Sequence, residues 1–209
     1  MLNYVLEDEL IKFNPFTHYK FKFQRKKKKV FLDLNQLTRI KSLNLPEGSD
    51  LDRNRDMFLF ACYTGLSYCE IKSFQKKNTY TGQDGAEWIK RIRQKQERTG
   101  SECILPMLSG AVEILKKYGF SMPVSALQNM NLNIKKICAL ARVDNPELFS
   151  TRAGRKTFGN ILVNDFGVDI KTVSFMMGHE SVTTTEDWYV DVRPVKIIRD
   201  MRPVRAVNW

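Results

Sequence analysis

The run Met57-Phe58-Leu59-Phe60-Ala61 constrains this chain more than any other stretch. It falls at the centre of a helix expected over residues 51–63, with Asp50 as its N-cap and Gly65 as its breaker. A helix that is apolar on every side cannot lie on a surface, so it must run through a domain with other elements packed around it. The chain supplies those elements. Apolar spacing and turn residues predict helices over 35–45, 69–74, 109–118, 124–142, 151–165 and 169–177. A final short helix leads to Trp188 and Tyr189. Two stretches, 87–93 and 102–105, read as strands joined by a polar tip over 94–100, and Pro106 ends the second. The expected fold class is mainly α with a small antiparallel β-sheet, an α+β domain without internal repeats.

The flanks read differently. Tyr19-Lys20-Phe21-Lys22-Phe23 alternates like a short extended segment, and Arg25, Lys26, Lys27, Lys28 and Lys29 form an unbroken basic run. That run reads equally as a linker lying on a polyanion or as a solvated connection. The tail over 193–209 mixes arginines with Ile197, Ile198, Val204 and Trp209.

Composition narrows the function classes. The chain has 209 residues, is 43% hydrophobic, and carries a formal charge of +11. It is large enough to bury a sizeable core, and no apolar run reaches the ~18 residues of a membrane span. Residues 1–10 hold Glu7, Asp8 and Glu9 and no apolar stretch of the kind a secretory signal has, so a cytoplasmic location is expected. Strong positive charge favours a polyanionic partner, since each phosphate neutralised by Lys or Arg releases counterions. Cys62, Cys69, Cys103 and Cys138 show no zinc spacing, and three of them sit among apolar neighbours, as buried reduced thiols do. The phosphate-binding, dinucleotide-binding and serine-hydrolase loop motifs are absent.

Four islands carry the chemistry. They are Tyr63-Thr64-Gly65-Leu66-Ser67-Tyr68-Cys69-Glu70-Ile71, the hairpin over 88–106, Thr151-Arg152-Ala153-Gly154-Arg155-Lys156-Thr157-Phe158, and Met177-Gly178-His179 running through Thr183, Thr184 and Thr185 to Trp188-Tyr189. In order and spacing the set resembles the tyrosine recombinase (phage integrase-like) family over roughly residues 31–192. The resemblance implies the recombinase catalytic-domain fold. Residues 1–30 then form a linker or the remnant of an N-terminal core-binding domain, and 193–209 a tail exchanged between protomers or packed on its own domain. So read, the chain is a fragment of a longer enzyme.

The resemblance also implies roles. Tyr189 is the nucleophile, forming a 3′-phosphotyrosine and freeing a 5′-hydroxyl, so that rejoining needs neither ATP nor metal. Trp188 stands where many relatives keep the tyrosine, but an indole cannot accept a phosphoryl group. Arg155 matches the arginine of the His-x-x-Arg motif, and His179 the histidine that donates to the same phosphate. Arginine suits this work because its planar fork meets two oxygens and stays charged. Two positions depart from the pattern. Ser67 stands where the family has its first arginine, while Glu70 keeps the acidic residue three positions on. Arg152 stands where the motif has its first histidine. An exchange of charge follows, with Arg152 taking over part of the missing arginine's role and Ser67 offering a hydroxyl.

The hairpin normally supplies a lysine that protonates the leaving oxygen. Counting from Trp88 selects Lys95, the better acid; counting from Pro106 selects Arg98. Arg91, Arg93 and Lys156 join the basic run 25–29 as DNA contacts. The implied partner is double-stranded DNA, bound by a homotetramer, with no cofactor, metal, membrane or small-molecule substrate. The alternative is a catalytically impaired DNA-binding accessory protein that retains the fold. A basic domain that binds acidic proteins would leave the ordered islands unexplained.

Overall fold

The computed structural model describes residues 30–92, 102–179, 182, 183 and 185. The central helix is where the sequence puts it. Helix α1 spans Leu34–Lys41 and α2 spans Asp50–Thr64. On α2, Met57, Phe58, Leu59, Phe60, Ala61 and Cys62 are all buried. Its neighbours are α1, α4 (Ser109–Lys117), α5 (Leu127–Leu140) and α6 (Thr151–Asn160). Helix α3, Tyr68–Lys72, follows α2 after a short loop, and α7 is Ile170–Met176.

Local chemistry explains where several elements begin and end. Ser49, not Asp50, caps α2: its Oγ accepts the Asp52 N–H at 3.1 Å, and Asp50 sits in the first turn, where the helix dipole favours a carboxylate. Helix α1 starts in a capping box, with Asp33 Oδ1 accepting the Gln36 N–H at 2.7 Å and Gln36 Oε1 accepting the Asp33 N–H at 3.1 Å. It ends at Lys41 rather than running to Leu45, and the Leu43 carbonyl turns instead to Arg55 Nη1 at 2.8 Å. The helix expected over 151–165 is α-helical only to Asn160; Ile161–Asp165 continues as a π-helical turn. Asn131 Oδ1 on α5 accepts the Thr151 N–H at 3.0 Å and so holds the start of α6.

The sheet has three antiparallel strands in the order β1 (Thr79–Thr81), β2 (Glu87–Ile92), β3 (Glu102–Pro106). Strand β1 was not expected, because three residues are too few for a period-two pattern to register. Ile89 pairs with Leu105, and both are fully buried, so one face of the hairpin closes the core. The Cys103 thiol donates to the Met176 carbonyl at 3.1 Å, fastening β3 to the end of α7. Cys62, Cys103 and Cys138 are buried and reduced; Cys69 is exposed. Among the described residues no helix is long and apolar enough to cross a membrane.

Two contacts set the geometry around α2. At its C-terminal half, α6 approaches so closely that a Cβ on Gly154 would stand 2.7 Å from the Ala61 Cβ and 3.3 Å from the Phe58 carbonyl oxygen. Toward its N-terminus lies an ion cluster. Arg55 Nη2 meets Asp52 at 2.5 Å and Asp56 at 2.9 Å, while Lys117 Nζ meets the same two carboxylates at 3.0 and 2.7 Å. The Tyr118 hydroxyl donates to Asp56 at 2.8 Å. Burial alone would raise the Asp52 pKa. Hydrogen bonds from Lys117 and the Gly48 N–H, with the charges of Lys117 and Arg55, outweigh it and hold that carboxyl below its ordinary value.

Gly154→Val should therefore destabilise the fold by about 1–3 kcal/mol through overpacking, read as a lower midpoint in thermal unfolding. The ion cluster gives a second expectation. A carboxylate with a depressed folded pKa stabilises above its unfolded value of 3.8, and this is lost as pH falls through the folded value. Lys117→Ala should move acid unfolding to higher pH. Its cost at neutral pH should be about 1–2 kcal/mol, well under that of a fully buried pair, because Lys117 is more than one third exposed and Arg55 remains.

Candidate active site

Gly65 ends α2 in the left-handed conformation, φ 66°, where a side chain would be strained and its Cβ would press on the Phe158 ring at 2.6 Å. The turn leaves the Gly65 carbonyl facing α6, where Arg155 Nη1 donates to it at 2.6 Å. The other terminal nitrogen of Arg155 donates to the Met177 carbonyl, at the end of α7. Glu70 stands behind the same guanidinium, its Oε2 3.8 Å from Nη1. That carboxylate oxygen also accepts the Ser67 N–H at 2.7 Å, which fixes the start of α3. One half-buried arginine thus gathers residues 90 and 22 positions away. Three of the four islands meet at its head group.

The histidine follows directly. Gly178 takes a positive φ of 59°, and the His179 N–H donates to the Ser174 carbonyl at 3.0 Å, so α7 ends by presenting the imidazole. His179 Nδ1 lies 2.8 Å from the Thr185 hydroxyl oxygen, and Thr185 is fully buried. Ser67, Glu70, Arg155 and His179 therefore belong to one neighbourhood. Arg152 sits one helical turn before Arg155, exposed, and among the described residues it makes no ion pair or hydrogen bond. Lys156 is half-buried beside Arg155. Arg91 lies on β2, opposite Cys103.

Tyr189, Lys95, Arg98, Arg93, the basic run Arg25 to Lys29 and the tail over 193–209 lie outside the described residues. Three contacts at the candidate site were not anticipated from sequence. Two are backbone carbonyls, at Gly65 and Met177, which no residue type announces. The third is Thr185, one of three consecutive threonines that spacing alone does not separate.

Chemically, the cluster is a fixed guanidinium with an imidazole held close to the same helix end. Arginine has five N–H donors in a planar fork, and its charge is permanent. Such a pair suits an anionic centre whose negative charge grows during reaction.

Comparison with known proteins identifies the fold and the family. Among solved structures, the Tn1549 transposon integrase in complex with a circular intermediate DNA superposes with a TM-score of 0.66 at 16% identity, covering 97% of this chain and 75% of that one. XerA recombinase gives 0.62 at 18% identity, covering 86% of this chain and 66% of that one. The catalytic domain of bacteriophage HP1 integrase gives 0.57 at 14% identity, covering 86% and 99%. The chain spans 52% of XerH, a site-specific recombinase solved bound to its difH substrate. No curated protein sequence matches it. The fold is that of the tyrosine recombinase catalytic domain. The model of the phage integrase family matches residues 31–195, and the chain belongs to that family.

Proposed function

We propose that this chain is the catalytic domain of a site-specific recombinase or integrase that breaks and rejoins DNA through a 3′-phosphotyrosine. The observation that carries the proposal is the Arg155 guanidinium, which binds the Gly65 and Met177 carbonyls and so unites islands that lie far apart in the sequence. The Tyr189 phenolic oxygen attacks the scissile phosphorus, and the bond from phosphorus to the 5′-oxygen breaks. Arg155 and His179 offset the charge that develops on the non-bridging oxygens. The phenol's proton passes to solvent water as attack proceeds, and the departing 5′-oxygen takes one from Lys95, with Arg98 the alternative donor. In the reverse sense a 5′-hydroxyl attacks the phosphotyrosine, so the ester energy is kept and neither ATP nor metal is required.

Glu70 acts as a support. Its carboxylate faces the Arg155 guanidinium and holds the Ser67 N–H. The exposed Arg152 takes part of the role of the cation that Ser67 does not supply. Lys156, Arg91, Arg93 and the basic run at 25–29 contact the DNA backbone. The duplex is bound by a homotetramer in the cytoplasm, with the tail over 193–209 exchanged between protomers.

A second reading is favoured by one observation: position 67 serves as a helix cap rather than a cation. On this reading the protein binds DNA as an accessory factor and does not cut it. A nicked suicide duplex built from DNA flanking the gene separates the two. The wild-type chain should form a covalent protein–DNA adduct that survives denaturing electrophoresis, and Tyr189→Phe should form none. An accessory protein would shift the duplex in a native gel and leave no adduct in either form. Arg152→Ala should slow adduct formation roughly ten- to hundredfold, the worth of about 1.5–3 kcal/mol for a hydrogen bond to a charged group. An unaltered rate would remove Arg152 from the site.

A further inference from the structure

The contact between His179 and Thr185 has no part in the chemistry so far described. We propose that Thr185 is the positioning residue for His179, holding imidazole Nδ1 so that the ring meets the phosphate through Nε2, with the neutral-form proton on Nε2. The assignment rests on the recombinase reading for its consequence, though not for its geometry.

Three observations support it. The Nδ1 to Oγ1 distance is 2.8 Å, and Thr185 has no solvent exposure, so water does not compete for its hydroxyl. The backbone of His179 is fixed independently, through its N–H on the Ser174 carbonyl and the Gly178 N–H on the Phe175 carbonyl. The preceding turn is itself held to Arg155 by the Met177 carbonyl. With the main chain held, ring orientation reduces to the side-chain torsions, which the bond at Nδ1 constrains. Of the neighbouring threonines, Thr183 is exposed and so poorly placed to exclude water.

The residue type matters as much as the place. An imidazole that donates to a phosphate oxygen from Nε2 must, when neutral, have an unprotonated Nδ1. A hydroxyl can donate to that lone pair. When the ring becomes imidazolium, the same hydroxyl rotates and accepts from Nδ1–H without any heavy atom moving. A carboxylate or a carbonyl could only accept, and would favour the other neutral tautomer. Thr185 thus permits both charge states at one ring position while directing Nε2 inward.

The chain has only two histidines, His18 and His179, so one background substitution, His18→Gln, leaves a single imidazole to observe. In the ¹⁵N-labelled full chain near pH 8, His179 should show a proton on Nε2 and a hydrogen-bonded, unprotonated Nδ1. Thr185→Val should move the Nδ1 resonance to that of an unbonded nitrogen, and Thr185→Ser should return it. Thr185→Ala removes the hydroxyl without a second methyl and keeps the comparison decisive if the valine variant does not fold. On the nicked duplex, the valine or alanine variant should form adduct at least about tenfold more slowly at saturating DNA, with unchanged DNA affinity, and serine should restore the rate. A wild-type His179 protonated on Nδ1 overturns the assignment, as does a hydroxyl-free variant with wild-type nitrogen shifts and cleavage rate. A wild-type chain that never forms adduct overturns the recombinase reading instead, and the nitrogen spectra then still decide the assignment of Thr185.

Discussion

The guanidinium of Arg155 is the point on which the arrangement turns. It is mostly buried, and a charge placed there is costly unless polar groups take the place of water. The Gly65 and Met177 carbonyls and the Glu70 carboxylate do so. Each belongs to a different segment, so satisfying one side chain requires the end of α2, the start of α3 and the end of α7 to be in place together. The site is thereby coupled to the fold. A fixed cation is useful to phosphoryl transfer only if it need not reorganise during reaction, and partners locked by packing provide that condition.

The departures at Ser67 and Arg152 look less severe in this light. What the frame takes from position 67 is its main-chain N–H, which Glu70 accepts, and any residue other than proline provides one. A serine at this position brings no charge and leaves the support behind Arg155 in place. The added arginine lies on α6 itself, one turn from Arg155, and is solvated, so it carries no comparable burial cost.

Helix α2 bears two kinds of interaction along its length. Toward its N-terminus, Asp52 and Asp56 are neutralised by Arg55 and Lys117, which ties α4 to the helix. At its C-terminal half the contact with α6 is steric, made by Gly154 over Ala61. The first contributes stability that depends on pH. The second sets how near Arg155 comes to the Gly65 turn, because Gly154 and Arg155 are adjacent.

The sequence by itself determined that a helix apolar all round must be central and that two strands form a hairpin, and it set Arg155, His179 and Glu70 in motifs of an ordered set. The helix and the hairpin are local features, decided by side-chain type, period and turn chemistry, whereas the motifs rest on the resemblance to the family. Element ends were less legible. Ser49 and Asp50 are both good caps, and three residues cannot declare β1. What only the tertiary structure decided is which atoms meet at Arg155 and which threonine holds His179. A backbone carbonyl has no residue-specific signature, and three successive threonines look alike until folding buries Thr185 against an imidazole.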